Sequence, residues 1–380
     1  MADHFDCIVV GTGGIGSQAL YALAARGARV LGIDQYEIAH DRGSSHGDTR
    51  AIRLVYFEHP DYVPLLQRAF ELWADLEKVS GQTLLARTGI LQAGPAGEEV
   101  ISGMLAAAAQ HQLPMDQLSS TDASTRFDGF ALPVDHAAIF DPSGGILFVE
   151  DCVRTAMAEA VKAGASVQIP ERMLNWHAGP TGRLIVETDR GRYTADRLVI
   201  TPGPFARQAL PELAPHLHLL RKALFWFEPG DACYQLENGC PAFLFEQGHR
   251  TFYGFPAMDS KGIKIAEHSG GRPLSAPEAL DRHVDTNELE AVTLALKNYL
   301  PRAGHQLNHH TTCMYTMSPD GHFIVGPYPG FDNVHVVAGL SGHGFKFATV
   351  LGEIMADLSL EGSTRHAIDF LSPLRLPGMH

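Results

Sequence analysis

Asp6-Cys7-Ile8-Val9-Val10 runs into Gly11-Thr12-Gly13-Gly14-Ile15-Gly16, and the change of texture between the two decides the fold. The first five residues are a short apolar, β-branched run bounded by glycine, the pattern of a buried strand. Ser17 to Arg26 (SQALYALAAR) follows with helical spacing, and Arg29 to Ile33 (RVLGI) is a second apolar run ending at Asp34. Strand, glycine turn, helix, strand is the opening of a parallel sheet. The glycines obey GxGxxG: Gly11 permits the tight turn, Gly13 lets backbone approach a pyrophosphate, and Gly16 lets the helix pack close to the strand. Asp34, 18 residues past Gly16, stands where a carboxylate accepts from a ribose hydroxyl. The same carboxylate would repel a 2′-phosphate, so the motif predicts a dinucleotide other than NADP and leaves FAD and NAD open.

Further along, Val149 to Ala163 reads as a helix and Ser166 to Ile169 as a strand. An alternating hairpin (RLIVETDRGRYTAD, 183–196) and the strand Arg197 to Thr201 follow. Between about 220 and 266 the texture changes to short aromatic runs, ALFWFE, AFLFEQ, RTFYGFP and GIKIAEH, which predict successive strands of an antiparallel sheet. The strand Val334 to Ala338, the turn Gly339 to Gly344 and a helix from about Phe345 to Leu360 return to α/β texture. For 380 residues, against roughly 150 per domain, the simplest arrangement is two interleaved domains.

Composition narrows the function. A net charge of −14 without a basic block argues against nucleic acid and anionic lipid as partners. Five cysteines without a CxxC pair suggest neither a disulfide framework nor a thiolate zinc cage. A reducing, cytoplasmic setting is expected, since no apolar run approaches the roughly 20 residues of a membrane span and MADHFDCIVV lacks the marks of a signal peptide. Glycine is in excess, 38 residues, and gathers at Gly11–Gly16, Gly43–Gly47, Gly144-Gly145 and Gly339–Gly344, turns expected to face one cofactor.

Two stretches carry chemistry. Gly43-Ser44-Ser45-His46-Gly47-Asp48-Thr49-Arg50-Ala51-Ile52-Arg53 reads either as a surface loop capping a helix, with Asp48 or Thr49 as N-cap and both arginines on one helical face, or as an anion-capturing loop near the cofactor. Around Cys313, His309-His310-Thr311-Thr312-Cys313-Met314-Tyr315 admits three readings. They are a metal site, for which no second ligand cluster is evident, an inert buried thiol, and covalent attachment of a cofactor.

GSSHGDTR (43–50), CMYTMSPDGHFIVG (313–326), YGFP (253–256), GIKIAEH (262–268) and GLSGHGFKFATVLGE (339–353) together resemble the monomeric sarcosine oxidase and N-methyltryptophan oxidase family of the D-amino-acid-oxidase-like flavoproteins. The likeness covers nearly the whole chain, in the family's order. It implies an α/β (α+β overall) fold in which a Rossmann-like FAD-binding domain, 1–80, 141–215 and 321–380, is interleaved with a substrate domain, 81–140 and 216–320, built on a mostly antiparallel sheet. It implies FAD held by Gly11, Gly13, Gly14, Ile15, Gly16, Asp34, Ser45, His46, Arg50, Met173, Gly203, Gly342, Gly344 and Lys346, and bonded covalently to Cys313. Lys264 matches the family lysine where oxygen is reduced. Arg53 and Lys346 match the pair that holds the substrate carboxylate, His46 and Arg50 lie near the flavin ring, and His268, Tyr253 and Tyr315 shape the pocket. Thr201-Pro202-Gly203-Pro204-Phe205 departs from the family, its two prolines removing amide donors.

The activity so implied is oxidation of an N-methyl α-amino acid, such as sarcosine or N-methyltryptophan, by a monomer using oxygen and no metal. The products are an imine, then the primary amino acid, formaldehyde and hydrogen peroxide. Oxidation of a cyclic secondary amino acid or a fructosyl amino acid, and a dehydrogenase using another acceptor, are the alternatives.

Overall fold

The computed structural model describes residues 3–180 and 182–379. Its first sheet is built around strand β1 (Asp3–Val10), followed by helix α1 (Gly14–Ala25) and strand β2 (Val30–Ile33). Across the sheet the order is Met173–Ala178, Leu184–Thr188, Arg192–Ile200, β1, β2 and Ser166–Gln168, with Val334–Ala338 parallel to Arg192–Ile200 and Ile324–Pro327 beside it. Cys7, Ile8 and Val9 have no exposed surface, as a parallel strand covered on both faces requires. Helices Val149–Lys162 and Ala348–Glu361 pack on α1.

The second sheet runs Arg272–Leu274, His218–Phe227, Ile263–Glu267, Arg250–Phe255, Ala242–Gln247, Ile90–Pro95, His136–Asp141, Asp116–Ser119, with the long strand Leu307–Met317 along His218–Phe227. Every pair is antiparallel except Ala242–Gln247 with Ile90–Pro95. Alternation divides its side chains. Phe225, Phe227, Phe243, Phe245, Ile263 and Ile265 enter one core with helix Thr286–Tyr299. Leu224, Trp226, Leu244, Tyr253, Phe255 and Cys313 face the core shared with the first sheet. Lys264, between the two isoleucines, therefore points toward that shared core and is buried rather than solvent-facing.

Three expectations are corrected. Thr49–Ile52 is not the start of a helix but a strand, β3, antiparallel to Gly145–Phe148, so Arg50 and Arg53 do not share a helical face. The hairpin arm and the strand expected at Arg197 are one strand, Arg192–Ile200. Gly144 and Gly145, expected to face a cofactor, are packed away from the cavity between the sheets: a Cβ on Gly145 would lie 2.3 Å from the Ala86 carbonyl and one on Gly144 2.6 Å from Ile90. Among the described residues no helix is long and apolar enough to cross a membrane.

Candidate active site

One cavity of about 450 Å³ runs between the two sheets, from the β1–α1 turn to Tyr253, His268 and Lys346. Its near end is the glycine turn. Gly11 has φ +85°, and a Cβ there would meet the Thr201 carbonyl at 2.5 Å; a Cβ on Gly16 would stand 1.8 Å from the Gly11 carbonyl. Neither position admits a side chain, and the backbone of Gly11, Gly13, Gly14 and Ile15 is left bare along the cavity. Gly14 donates its N–H to Ser45 Oγ at 3.1 Å, which fixes the loop at the helix N-terminus. Asp34 ends β2 and lines the cavity, its Oδ2 accepting from Thr12 N at 2.6 Å and its Oδ1 from Tyr36 N at 3.1 Å. Met173, Gly203, Gly342 and Gly344 line the same space. Bare glycine backbone, a helix N-terminus and a carboxylate at the second strand fit an ADP-containing cofactor such as FAD.

Midway, the loop Gly43–Asp48 and β3 meet the strand Leu307–Met317. Ser44 Oγ donates to Met314 O at 2.7 Å, and Arg50 donates to Thr49 O at 2.8 Å and Ser44 O at 3.0 Å. Arg50 lines the cavity, whereas His46, Cys313 and Lys264 are buried in the layer behind it. Arg50 Nη2 lies 3.5 Å from Cys313 Sγ. Burial alone would raise that thiol, but His46 and Arg50 outweigh it and hold the thiol down at about 6. Burial pushes Cys7 and Cys240 up to about 12 and Cys233 to about 11.

Lys264 Nζ donates to Gly47 O at 2.5 Å, Thr49 O at 3.0 Å and Thr49 Oγ1 at 3.2 Å, and lies 5.2 Å from the Trp226 ring centre and 5.1 Å from that of Phe255. Burial and the Arg50 charge push its ammonium well below the usual lysine range. The acceptors flank a left-handed turn, Gly47 at φ +89° and Asp48, strained, at φ +68°, held from behind by Glu150, which accepts from Gly47 N at 2.7 Å and Asp48 N at 3.1 Å.

The far end is charged and closed. Arg53 is 4% exposed and donates from Nη2 to both oxygens of Glu58, at 2.8 and 2.7 Å, with its guanidinium over the rings of Tyr56 and Phe57. Burial opposes the Glu58 charge, but Arg53 holds the carboxyl down at about 2. Lys346 Nζ donates to His343 O at 2.7 Å, and burial lowers it to about 7. His268 faces Tyr315 Oη at 3.4 Å and is lowered by burial to about 3, so its imidazole is neutral. Asp141, fully buried, accepts from Leu54 N at 2.7 Å and Val55 N at 3.0 Å and so sets the path of the chain after Arg53.

Glu58, His343, Asp141 and Glu150 were missed by sequence reasoning. An acid five residues beyond an arginine carries no signature unless the intervening chain is known to turn back. Two other placements bear on the sequence readings. His310 Nε2 contacts Arg282 O and His309 packs on Trp226, rather than converging with Cys313. Glu353, Asp357 and His366 come within reach of one ion, with Arg68 on Glu353 and Arg26 on Asp357.

The family model described as "FAD dependent oxidoreductase" (DAO) matches residues 6–358. The chain is 36% identical to the monomeric sarcosine oxidase of Bacillus sp. (strain B-0618), covering 98% of this chain and 96% of that protein. It is 36% identical to the N-methyl-L-tryptophan oxidase of Salmonella dublin, covering 98% of each. Among solved structures it is similar to NikD, described as an unusual amino acid oxidase essential for nikkomycin biosynthesis, with TM-score 0.85, 25% identity and 98% of each chain covered.

Proposed function

The chain belongs to the FAD-dependent oxidoreductase family, and from that premise we propose that it oxidises secondary α-amino acids, N-methyl ones such as sarcosine or N-methyltryptophan, with oxygen as acceptor. The observation that carries the reading is the pair of buried cations, Arg53 and Lys346, at the closed end of the cavity beside Tyr253, His268 and Tyr315. Arg53 already grips one carboxylate through Nη2, the interaction that an amino acid's carboxylate would take over.

Bound FAD supplies the two-electron acceptor. The chain's own groups orient the substrate and set its protonation. With the carboxylate on Arg53 and Lys346, the amine falls among Tyr253, His268 and Tyr315, none of them anionic, while the charged carboxylate that lines this end, Glu58, lies against Arg53. His268, held neutral, offers the amine nitrogen no countercharge. Arg53, Lys346 and Arg50 add positive field, which together with burial favours the uncharged amine that oxidation requires. Lys264, whose Nζ is preorganised by Gly47 and Thr49 in an apolar setting, is a hydrogen-bond donor suited to stabilising negative charge developing on oxygen. Release of the amino acid as an imine leads by hydrolysis to the primary amino acid and, from an N-methyl substrate, to formaldehyde, while oxygen becomes hydrogen peroxide.

Attachment of FAD through Cys313 belongs to the same proposal. Cys313 alone among the cysteines is lowered rather than raised, and a thiolate is the nucleophile such a bond needs. The test is a screen of secondary amino acids coupled to peroxide detection, with formaldehyde assayed in parallel. Peroxide with equal formaldehyde supports the N-methyl reading, and peroxide without formaldehyde moves it to cyclic substrates. No peroxide from any of them overturns it.

A further inference from the structure

Lys222 is a buried cation that the proposed chemistry leaves unused. It lies on His218–Phe227 directly opposite Cys313, and Leu220 pairs with Tyr315 two residues on. Lys222, Cys313 and Tyr315 therefore share the sheet face turned to the cavity. The side chain is 3% exposed. Its Nζ donates to three backbone carbonyls, His268 O at 3.0 Å, Ser269 O at 2.7 Å and Gly270 O at 3.2 Å, and stands 5.1 Å from the centre of the Tyr315 ring. Three carbonyls saturate the three hydrogens of an ammonium, and they belong to the turn that carries His268.

We propose that Lys222 is a positioning residue of the substrate pocket, one buried ammonium that ties the His268 turn and the Tyr315 ring into a single wall and charges that wall positively. The inference rests on the amino-acid-oxidase reading of the pocket. Its physical ground is cost. A buried ammonium bonded only to neutral carbonyls is expensive, and a neutral amide could bind some of the same oxygens without that expense. What the charge adds is a field across Tyr315 and His268. Burial lowers Lys222 itself to about 8, with Glu267, Glu288 and Cys313 opposing. Lys222 joins burial in keeping His268 neutral against the pull of Glu58. The same field disfavours a protonated amine beside His268.

Two probes of one shape separate charge from fit: 3,3-dimethylbutanoate and glycine betaine, which differ by one permanent positive charge. Each is titrated into the flavin-loaded enzyme and its Kd read from the perturbed flavin absorbance. Replacing Lys222→Met shifts the ratio of the two Kd values toward betaine by at least about tenfold, the order expected for removing one nearby buried charge. Lys222→Gln shifts the ratio in the same direction while retaining more of the affinity for dimethylbutanoate, because it restores part of the carbonyl contacts. An unchanged ratio in the Met variant, with flavin content intact, overturns the proposal, since a purely structural lysine would weaken both probes equally. If the Met variant does not hold flavin, the ratio in the Gln variant decides. Binding of neither probe to the unaltered enzyme contradicts the pocket reading and takes this inference with it.

Discussion

Glu58 occupies Arg53 as a substrate carboxylate would, and this makes it the residue whose removal is most informative. Glu58→Gln leaves the buried guanidinium without its countercharge, which costs about 3 kcal/mol of stability, and at the same time opens Arg53 to an incoming anion. The expected result is a lower Tm together with ~10-fold tighter binding of 2-furoate. The pair also has a pH signature. The Glu58 carboxyl is held at about 2 against an ordinary 4.5. Its contribution is therefore complete above pH 4.5 and fades as pH falls toward 2; that acid-sensitive portion should be missing from the Gln variant's unfolding profile. Cys313 gives a second test at this scale. With the thiol held at about 6, the rate at which apoprotein forms an acid-stable flavin adduct rises between pH 5 and 7 with a midpoint near 6, then levels off. His46→Ala moves the midpoint upward. Of these groups, Arg53 and Cys313 could be singled out as candidates because they fall within recognisable motifs, whereas Glu58 could not, its position depending on how residues 54–58 fold back under Asp141.

Among the elements, β1, α1 and β2 were legible in type and order because hydrophobic period and glycine punctuation agree there, although β1 and α1 each begin three residues earlier than the pattern gave. β3 was not. Thr49–Ile52 has no apolar alternation, and its partner Gly145–Phe148 is distant in sequence, so the tertiary pairing rather than local propensity makes it a strand. Leu307–Met317 was hidden for a different reason: His309, His310, Thr311 and Thr312 are a polar run without the apolar alternation of a strand, yet the strand pairs with His218–Phe227 along its whole length, carrying Tyr315 to the cavity and Cys313 to the layer just behind it. The strained turn before β3 is held by Glu150. Glu150→Ala leaves the Gly47 and Asp48 amides unpaired and should cost about 2 kcal/mol. Since that turn supplies one acceptor of Lys264, Gly47 O, and sets the position of Thr49, which supplies the other two, re-oxidation of the reduced enzyme by oxygen should slow in stopped-flow while reduction by substrate is little changed.

At the scale of the molecule, the cavity exists because two sheets of different construction face each other, the mixed one with its parallel centre presenting glycine turns and the mostly antiparallel one presenting polar side chains from alternate positions. The division into a discontinuous FAD-binding domain and a substrate domain is the arrangement we propose for that pairing. The formal net charge is −14, whereas Arg50, Arg53, Lys264, Lys346 and Lys222 gather around the cavity with Glu58 against Arg53, so the local field rather than the net charge selects an anion. A cofactor seated between the sheets should couple them. In Cys313→Ser, where FAD can dissociate, adding FAD to about 100 times its Kd should stabilise the fold by about 2.7 kcal/mol, read as a concentration-dependent Tm. The oxidase activity is decided by the yield of peroxide and formaldehyde when the flavin-loaded enzyme is given sarcosine or N-methyl-L-tryptophan in air. The two products are expected in equal amounts from at least one of these substrates, with the rate collapsing in Arg53→Met. Absence of peroxide from both, and from cyclic secondary amino acids under the same conditions, would contradict that activity.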